Sequence, residues 1–519
     1  MVVQADPVSG TDAPGPPARA LSALVLAAGA GSTATEICAS RLLAPYFGSS
    51  TVVWANVIGL VLAALSLGYW RGGRLADRRP DRAVLGRVVV AAGMLVAIVP
   101  FAARPLLDVT VRGLDQVSVG AVVGSFAASL LLFAPPVVLL GMAAPFALRL
   151  SVTGIDRAGS AAGRLYALST IGSIAGVFVP ALVTIPLVGT ERTLVGTAAV
   201  VALGGAIQLA PPWLAAPVVV AALLAVPPGA VKATPGLLYE TESRYQYVQV
   251  VQNGPERDLY LNEGIVRHSE WRPDTVLTGD EWDMFLAVPP LLGRPVRSVA
   301  ILGNAGGTTA RAYGVFYPRA AIDGVEIDPA VSAAARRFMG LGDNPRLHVI
   351  TADARPFLRR THTRYDVIVV DAYRQPYVPF YLATQEFFRL VRDRLRPGGI
   401  VALNVATVPG DHRLARDVAG TLRTVFPEVL TWQALKLNQL VLGFARPLPA
   451  GRLAGAPMRT PARIRSLTRL LAAHARPAAP SADPWTDDRA PVEWVTDRMI
   501  LDFAVNGDTR NEQLLPTAP

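Results

Sequence analysis

Long apolar runs crowd into the chain before residue 231 and are almost missing after it, and this asymmetry limits the architecture more than any other feature. Windows recur at about 21–40, 52–70, 84–103, 117–148, 165–187, 193–210 and 213–227. A helix needs roughly 20 apolar residues to cross the hydrocarbon of a bilayer. Most of the windows reach that length; the last is short. One such window alone would suit a buried core helix, but this succession predicts a multipass membrane domain over 20–228. Composition agrees. Mean hydropathy is +0.37 and 17% of residues are charged, against about 25% in soluble domains. With one cysteine, Cys38, an intrachain disulfide is excluded. The five histidines are scattered without ligand spacing, so no metal site is expected.

Arginine sets the expected orientation. The loop with Arg71, Arg74, Arg78, Arg79, Arg82 and Arg87 outweighs Asp77 and Asp81 and is expected in the cytoplasm. The loop near 104–116 balances Arg104 and Arg112 against Asp108 and Asp115 and is expected outside. Residues 149–164 carry Arg149, Arg157 and Arg164 against Asp156 and return inside. This puts the chain in the plasma membrane with a cytoplasmic N-terminus. A cytoplasmic C-terminal half needs an even number of crossings, and the windows give odd parity. The 213–227 segment, cut off by Pro211-Pro212, is the first candidate to drop; 117–148, broken at Pro135-Pro136, has room for two passes. Residues 1–19 are rich in Pro, Gly and Asp and read as a disordered tail, without the basic start of a signal peptide. Glu36 and Arg41 stand near the end of the first window, either as functional intramembrane charges or as snorkelling interfacial ones. The net charge of +10 is almost all arginine, with Lys232 and Lys436 the only lysines. The soluble half has no basic stripe interleaved with aromatics, so nucleic acid is not an expected partner.

A Pro/Gly linker at 229–237 precedes text of another kind. Tyr245–Val251 alternates with period two, Asn253-Gly254 signals a turn, and Arg257–Leu261 returns, which predicts a small antiparallel sheet at 238–270. Val299–Leu302 then runs as a short apolar strand into Gly303-Asn304-Ala305-Gly306-Gly307, a helical stretch, and a second strand ending at Glu326. Glycines let the backbone come close to a ligand, and an acid about 20 residues on can accept both hydrogens of a ribose diol. Asp353, followed by Ala354, and Asp371 end two further strands. Ligands bind outside that edge of open α/β sheets. A helix at 384–395 and a strand at 400–405 complete a Rossmann-like class I methyltransferase layout over 271–446, with a C-terminal extension at 447–519.

Glu240–Val250, the Gly303 turn, Val325–Pro329, Asp353–Phe357 and Asp366–Asp371 resemble successive motifs of spermidine synthases. The chain as a whole is similar to multipass bacterial proteins that fuse a membrane domain to a spermidine synthase-like domain. The resemblance implies transfer of an aminopropyl group from decarboxylated S-adenosylmethionine to an amine. It implies that Gln246 touches the nucleoside, that Glu326 binds the ribose and Asp353 the adenine amino group, that Gly303, Gly306 and Gly307 cradle the donor, and that Asp371 helps deprotonate the attacking amine.

The amine side departs from the family. Ala305 stands where an aspartate usually binds the aminopropyl ammonium, Arg374 replaces the second acid of Asp-x-x-Asp, and Asp280–Phe285 lacks the usual Tyr-His or Tyr-Gln pair. A buried ammonium without paired charge costs several kcal/mol. Asp487, Asp488 or Glu493 can compensate if the extension folds over the site; otherwise the Asp pair caps a helix. Tyr373 and His268 are further lining candidates. Three functions stay open: the aminopropyltransferase; a methyltransferase using intact S-adenosylmethionine, whose carboxylate Arg374 would pair; and a nucleoside-binding transporter or sensor. The expected partners are a small amine or other acceptor and the lipid bilayer, with homo-oligomerisation open.

Overall fold

The computed structural model describes residues 16–47, 51–114, 120–152, 158–227, 229, 231–232, 234–262, 264, 266–373, 377–449, 451–453 and 460–506. These fall into two compact units, divided at about residue 232. Residues 1–15 of the expected tail, and Arg374, lie outside the described residues; the first helix, Pro16–Phe47, begins within the stretch read as tail.

The first unit is all helical. Five helices among the described residues are long and apolar enough to cross a membrane: Arg19–Phe47, Val53–Arg78, Arg82–Leu107, Ala134–Ser151 and Ala158–Val188. The expected window at 193–210 forms the 17-residue helix Thr190–Ala206. The doubtful 213–227 window forms only the short Pro211–Ala225 helix. Among its described residues, 120–148, the 117–148 window holds no reversal. The backbone stays right-handed helical at Phe133 and Met142, and Pro135-Pro136 sit in a first helical turn, where proline costs no hydrogen bond.

Small residues bring these helices together. A Cβ on Gly172 would lie 2.2 Å from Leu26 O, and one on Gly176 2.2 Å from Ala30 O. Between these contacts Thr33 Oγ1 donates to Ser173 O at 2.9 Å. Close backbone approach and polar cross-links of this kind let apolar helices associate. Large apolar side chains such as Leu182, Leu187 and Val218 remain exposed.

The second unit opens with four antiparallel strands in the order β1 (Leu237–Glu242), β2 (Tyr247–Asn253), β3 (Glu256–Leu261) and β4 (Arg267–Trp271). Gly254, at φ +58°, closes the β2–β3 hairpin. The second sheet has β5 (Ser298–Leu302), β6 (Ala321–Glu326), β7 (Leu347–Thr351), β8 (Tyr365–Val370), β9 (Leu395–Ala406), β10 (Glu428–Gln433), β11 (Asn438–Phe444) and β12 (Arg476–Pro477). Its spatial order is β12-β10-β11-β9-β8-β5-β6-β7. β5 to β9 are parallel; β10, β11 and their pairings with β9 and β12 are antiparallel. This is the Rossmann-like methyltransferase arrangement read from the sequence, preceded by the small sheet. β9 starts earlier than expected, at Leu395, and carries Pro397-Gly398-Gly399 as an irregularity in its pairing with β8. β5 and β8 are buried throughout and mostly apolar, with Ser298 and Asp366 the exceptions, as suits strands covered on both faces. The order steps outward from β5 through β6 to β7, then restarts at β8 on the other side of β5. The crevice at that switch point is the default ligand site of such sheets.

Candidate active site

Three strand ends meet at this crevice. Asp371 N–H donates to Leu302 O at 2.8 Å, Gly303 N–H to Val325 O at 2.9 Å, and Ala352 N–H to Glu326 O at 3.1 Å. The tips bearing Asp371, Glu326 and Asp353 are thus stitched around the glycine-rich turn. Gly303 has φ +88°, and a Cβ there would lie 2.4 Å from Asp371 O. Gly307 has φ +83° and starts the helix Thr308–Phe316. Gly306 N–H donates to Ser269 Oγ at 2.7 Å, which ties the turn to β4. Ala305 also sits in the left-handed region, at φ +42°, a conformation that costs a side-chain-bearing residue about 1 kcal/mol or more.

The Ala305 strain has an evident return. Its N–H donates to Glu326 Oε2 at 2.9 Å, and Asp328 N–H donates to Glu326 Oε1 at 3.0 Å. The carboxylate is thereby fixed in orientation, and each oxygen keeps a further lone pair for a hydroxyl. Burial pushes Glu326 up to about 7 despite those bonds. The turn that carries Gln246 is pinned next to it: Ser243 Oγ accepts Gln246 N–H at 3.0 Å and donates to Asp328 Oδ2 at 2.6 Å. Asp353 caps the helix Ala354–Arg360, accepting Arg355 N–H at 2.9 Å, and its other oxygen accepts the Tyr381 hydroxyl at 2.9 Å.

Asp371 follows directly on β8. Asn404 Nδ2 donates to Asp371 Oδ1 at 3.0 Å. Burial still raises Asp371 to about 6. Tyr373 gives its hydroxyl to Asn404 O at 2.7 Å. Glu281, which sequence reasoning did not single out, is also shifted. Burial first, then the Asp371 charge, pushes it up to about 8. The motif comparison had treated its segment only as a missing pair.

The acids of the extension lie elsewhere. Asp487 is taken up by Arg355, whose Nη1 reaches Asp487 Oδ1 at 2.7 Å, and by Thr384 Oγ1 at 2.7 Å. Asp488 is exposed in the Thr486–Arg489 turn, and Glu493 is half-buried in the first turn of the helix Val492–Asn506. His268 on β4 is pushed down to about 4 by burial and is neutral at physiological pH. Carboxylates of Glu256, Asp258 and Glu270 cluster within 4.8 Å, but Arg267 is ion-paired with all three. A guanidinium already supplies the cation there.

Residues 283–436 match the spermine/spermidine synthase domain family. A probable polyamine aminopropyl transferase of Bifidobacterium longum is 36% identical over 192 residues, covering 37% of this chain and 42% of that protein. A polyamine aminopropyltransferase of Vibrio vulnificus is 30% identical over 156 residues, covering 29% of this chain and 51% of that one. The chain thus spans about half the length of these curated relatives. A crystal structure of a probable spermidine synthase from Corynebacterium glutamicum, 17% identical, superposes with a TM-score of 0.38 over 55% of this chain and 99% of that one. Residues 283–436 thus carry a spermine/spermidine synthase domain, and a region of apolar helices precedes it.

Proposed function

We propose that this chain is a membrane-anchored transferase that moves the aminopropyl group of decarboxylated S-adenosylmethionine to an amine acceptor. The observation that carries this reading is the oriented Glu326 carboxylate beside the side-chain-free Gly303 turn, one strand away from Asp371. The donor would supply a carbon made electrophilic by its sulfonium. The residues fit its nucleoside: Glu326 can accept a ribose diol, Asp353 is held rigid for the purine amino group, and Gln246 stands at the β6 end. Asp371, poised near 6, is suited to accept a proton from the amine at neutral pH. Holding amine and donor in line would provide much of the acceleration.

The membrane placement is part of the proposal. The arginine-rich 71–87 loop supports a cytoplasmic N-terminus. Counting Thr190–Ala206 as a sixth crossing beside the five longer helices returns the chain to that side, where adenosyl donors are made. Reporter fusions after residues 80, 112 and 519 would test it; an external reporter signal at residue 519 would overturn it.

The deciding experiment uses the full chain in detergent with decarboxylated or intact S-adenosylmethionine and a panel of amines. Release of 5′-methylthioadenosine from the decarboxylated donor is the expected result. Methyl transfer from the intact donor, with tighter binding of it, would replace this reading with the methyltransferase. Nucleoside binding without turnover of either donor would replace it with a sensor or transporter.

A further inference from the structure

A row of side-chain amides crosses three strands and ends on Asp371. Asn404 on β9 donates from Nδ2 to Asp371 Oδ1 at 3.0 Å. Asn438, the first residue of β11, donates from Nδ2 to Asn404 Oδ1 at 3.1 Å. Strand register explains the alignment. Val370 lies beside Leu403, which brings Asp371 next to Asn404. Asn438 lies beside Ala406, two residues on from Asn404 and so on the same face of the sheet. The small Ala406 side chain leaves Asn438 room to lean back to Asn404. The surroundings hold both ends. Tyr373 donates its hydroxyl to Asn404 O at 2.7 Å. Asn438 N–H donates to Leu435 O at 3.4 Å and Leu435 N–H to Asn438 O at 3.1 Å, which closes the β10–β11 turn.

A side-chain amide donates from its nitrogen and accepts at its oxygen. With Asn404 Oδ1 engaged by Asn438, the nitrogen is directed at Asp371. Turning the amide over would set oxygen against the carboxylate and nitrogen against nitrogen. Asn404 is 5% exposed, so water offers little compensation for either mismatch.

We infer that Asn404 and Asn438 are positioning residues for Asp371, a one-way amide relay in which Asn438 sets the direction of Asn404 and Asn404 fixes the carboxylate. Its part in turnover rests on the transferase reading above; the relay itself can be read without turnover. A donor on a carboxylate favours the charged form, against the burial that raises Asp371. The titratable groups that act on Asp371 are Glu281, from the short helix Glu281–Met284, and Tyr373. Neither relay amide titrates, so the relay orients the proton acceptor without adding a charge beside it.

Asn404→Leu, Asn438→Leu and Asn438→Asp in the full chain test this. Asn438 is half-buried, so its variants carry the test without disturbing the core. The carboxyl infrared band of Asp371, read against Asp371→Asn as the blank, gives its titration midpoint directly. Asn404→Leu should raise that midpoint by about one pH unit and Asn438→Leu by about half as much. Asn438→Asp should raise it at least as far as Asn404→Leu, because a carboxylate at 438 accepts the Asn404 nitrogen and turns its oxygen toward Asp371. With decarboxylated S-adenosylmethionine and putrescine as probes, Asn404→Leu should lower kcat/KM about tenfold near pH 6 and about threefold or less near pH 9. An unmoved midpoint in either Asn438 variant, or an equal loss of kcat/KM at both pH values in Asn404→Leu, would overturn the relay. Failure of the unaltered chain to consume the donor would overturn the transferase reading, and the infrared midpoints would still decide the relay.

Discussion

Arg355 and Asp487 form a two-pronged ion pair across 132 positions of sequence. Arg355 is buried and lies two residues after Asp353. The pair therefore fastens the C-terminal extension to the helix that Asp353 caps, behind the expected adenine position. Thr384 and the backbone N–H of Asp487, which donates to Glu386 at 3.0 Å, complete the clasp. The extension acts here as a strap on the donor side of the site.

Removing the strap should loosen the whole nucleoside half. Asp487→Ala leaves the Arg355 guanidinium buried without its anion. Breaking a fully buried pair costs about 3–5 kcal/mol. Asp487 is 44% exposed, so solvent screening reduces this to about 1–3 kcal/mol. Thermal unfolding of the full chain should show a lower Tm for Asp487→Ala. The bonds from Arg355 hold Asp487 below the usual carboxylate range. Its stabilisation is thus full above about pH 4 and is lost as pH falls through the lowered value. The Asp487→Asn variant should lose that acid sensitivity.

Glu326 should make nucleoside binding rise with pH. Burial raises it to about 7, so near pH 6 it is mostly protonated and can no longer accept from both ribose hydroxyls. Affinity for 5′-methylthioadenosine, followed by calorimetry, should increase between pH 6 and pH 8. Without ligand the sign reverses. The folded value lies above the unfolded 4.5, so this group's contribution to stability is present below 4.5 and lost as pH climbs through about 7. Glu326→Ala should weaken nucleoside binding by about 1–3 kcal/mol through unpaired hydroxyls and abolish the pH slope. A slope that survives in Glu326→Ala would assign it to another group.

Much of the geometry of the candidate site was legible because its determinants are local. The Gly303 turn, Glu326, Asp353 and Asp371 each mark where a strand ends, and a parallel sheet aligns such ends without further information. Periodicity likewise set the small sheet to within a residue or so: β1 to β4 span Leu237–Trp271 against an expected 238–270. What escaped was decided by distance in sequence. Asp487 was left between a compensating acid and a helix cap because its partner Arg355 lies 132 positions away in the chain. In the membrane unit, apolar length marked the windows but could not tell a bend from a reversal at Pro135-Pro136; helix continuation through Phe133 decided it.

Gly176 is a stringent test of the helix packing read in the first unit. A Cβ there would meet Ala30 O at 2.2 Å and Thr33 Oγ1 at 2.3 Å. Gly176→Leu must push the helices Pro16–Phe47 and Ala158–Val179 apart and break the Thr33–Ser173 hydrogen bond. Overpacking of this kind costs about 1–3 kcal/mol. The variant should show reduced detergent-solubilised yield and a lower melting temperature. Gly163→Leu, on the same helix with open space around it, should behave like the unaltered chain.

Gly303 carries the sharpest prediction for the site, because two constraints act on one atom. Its φ of +88° disfavours any side chain, and a Cβ would lie 2.4 Å from Asp371 O and 2.6 Å from Ala372 Cα. Both neighbours are backbone, so neither can rotate away. Gly303→Ala must shift the β5 turn or the β8 tip, and the two carry the groups proposed to face donor and acceptor. Strain of about 1–3 kcal/mol is expected from the backbone alone. Calorimetry should show 5′-methylthioadenosine binding weakened at least tenfold, and the turnover assay should show a larger loss, because the Asp371 position moves as well. Gly398→Ala supplies the comparison. Its φ is also positive, at +73°, but nothing lies within 4 Å of its Cβ, so it should cost stability alone and leave nucleoside affinity unchanged. Equal effects of the two substitutions on binding would mean that the Gly303 turn does not touch the nucleoside.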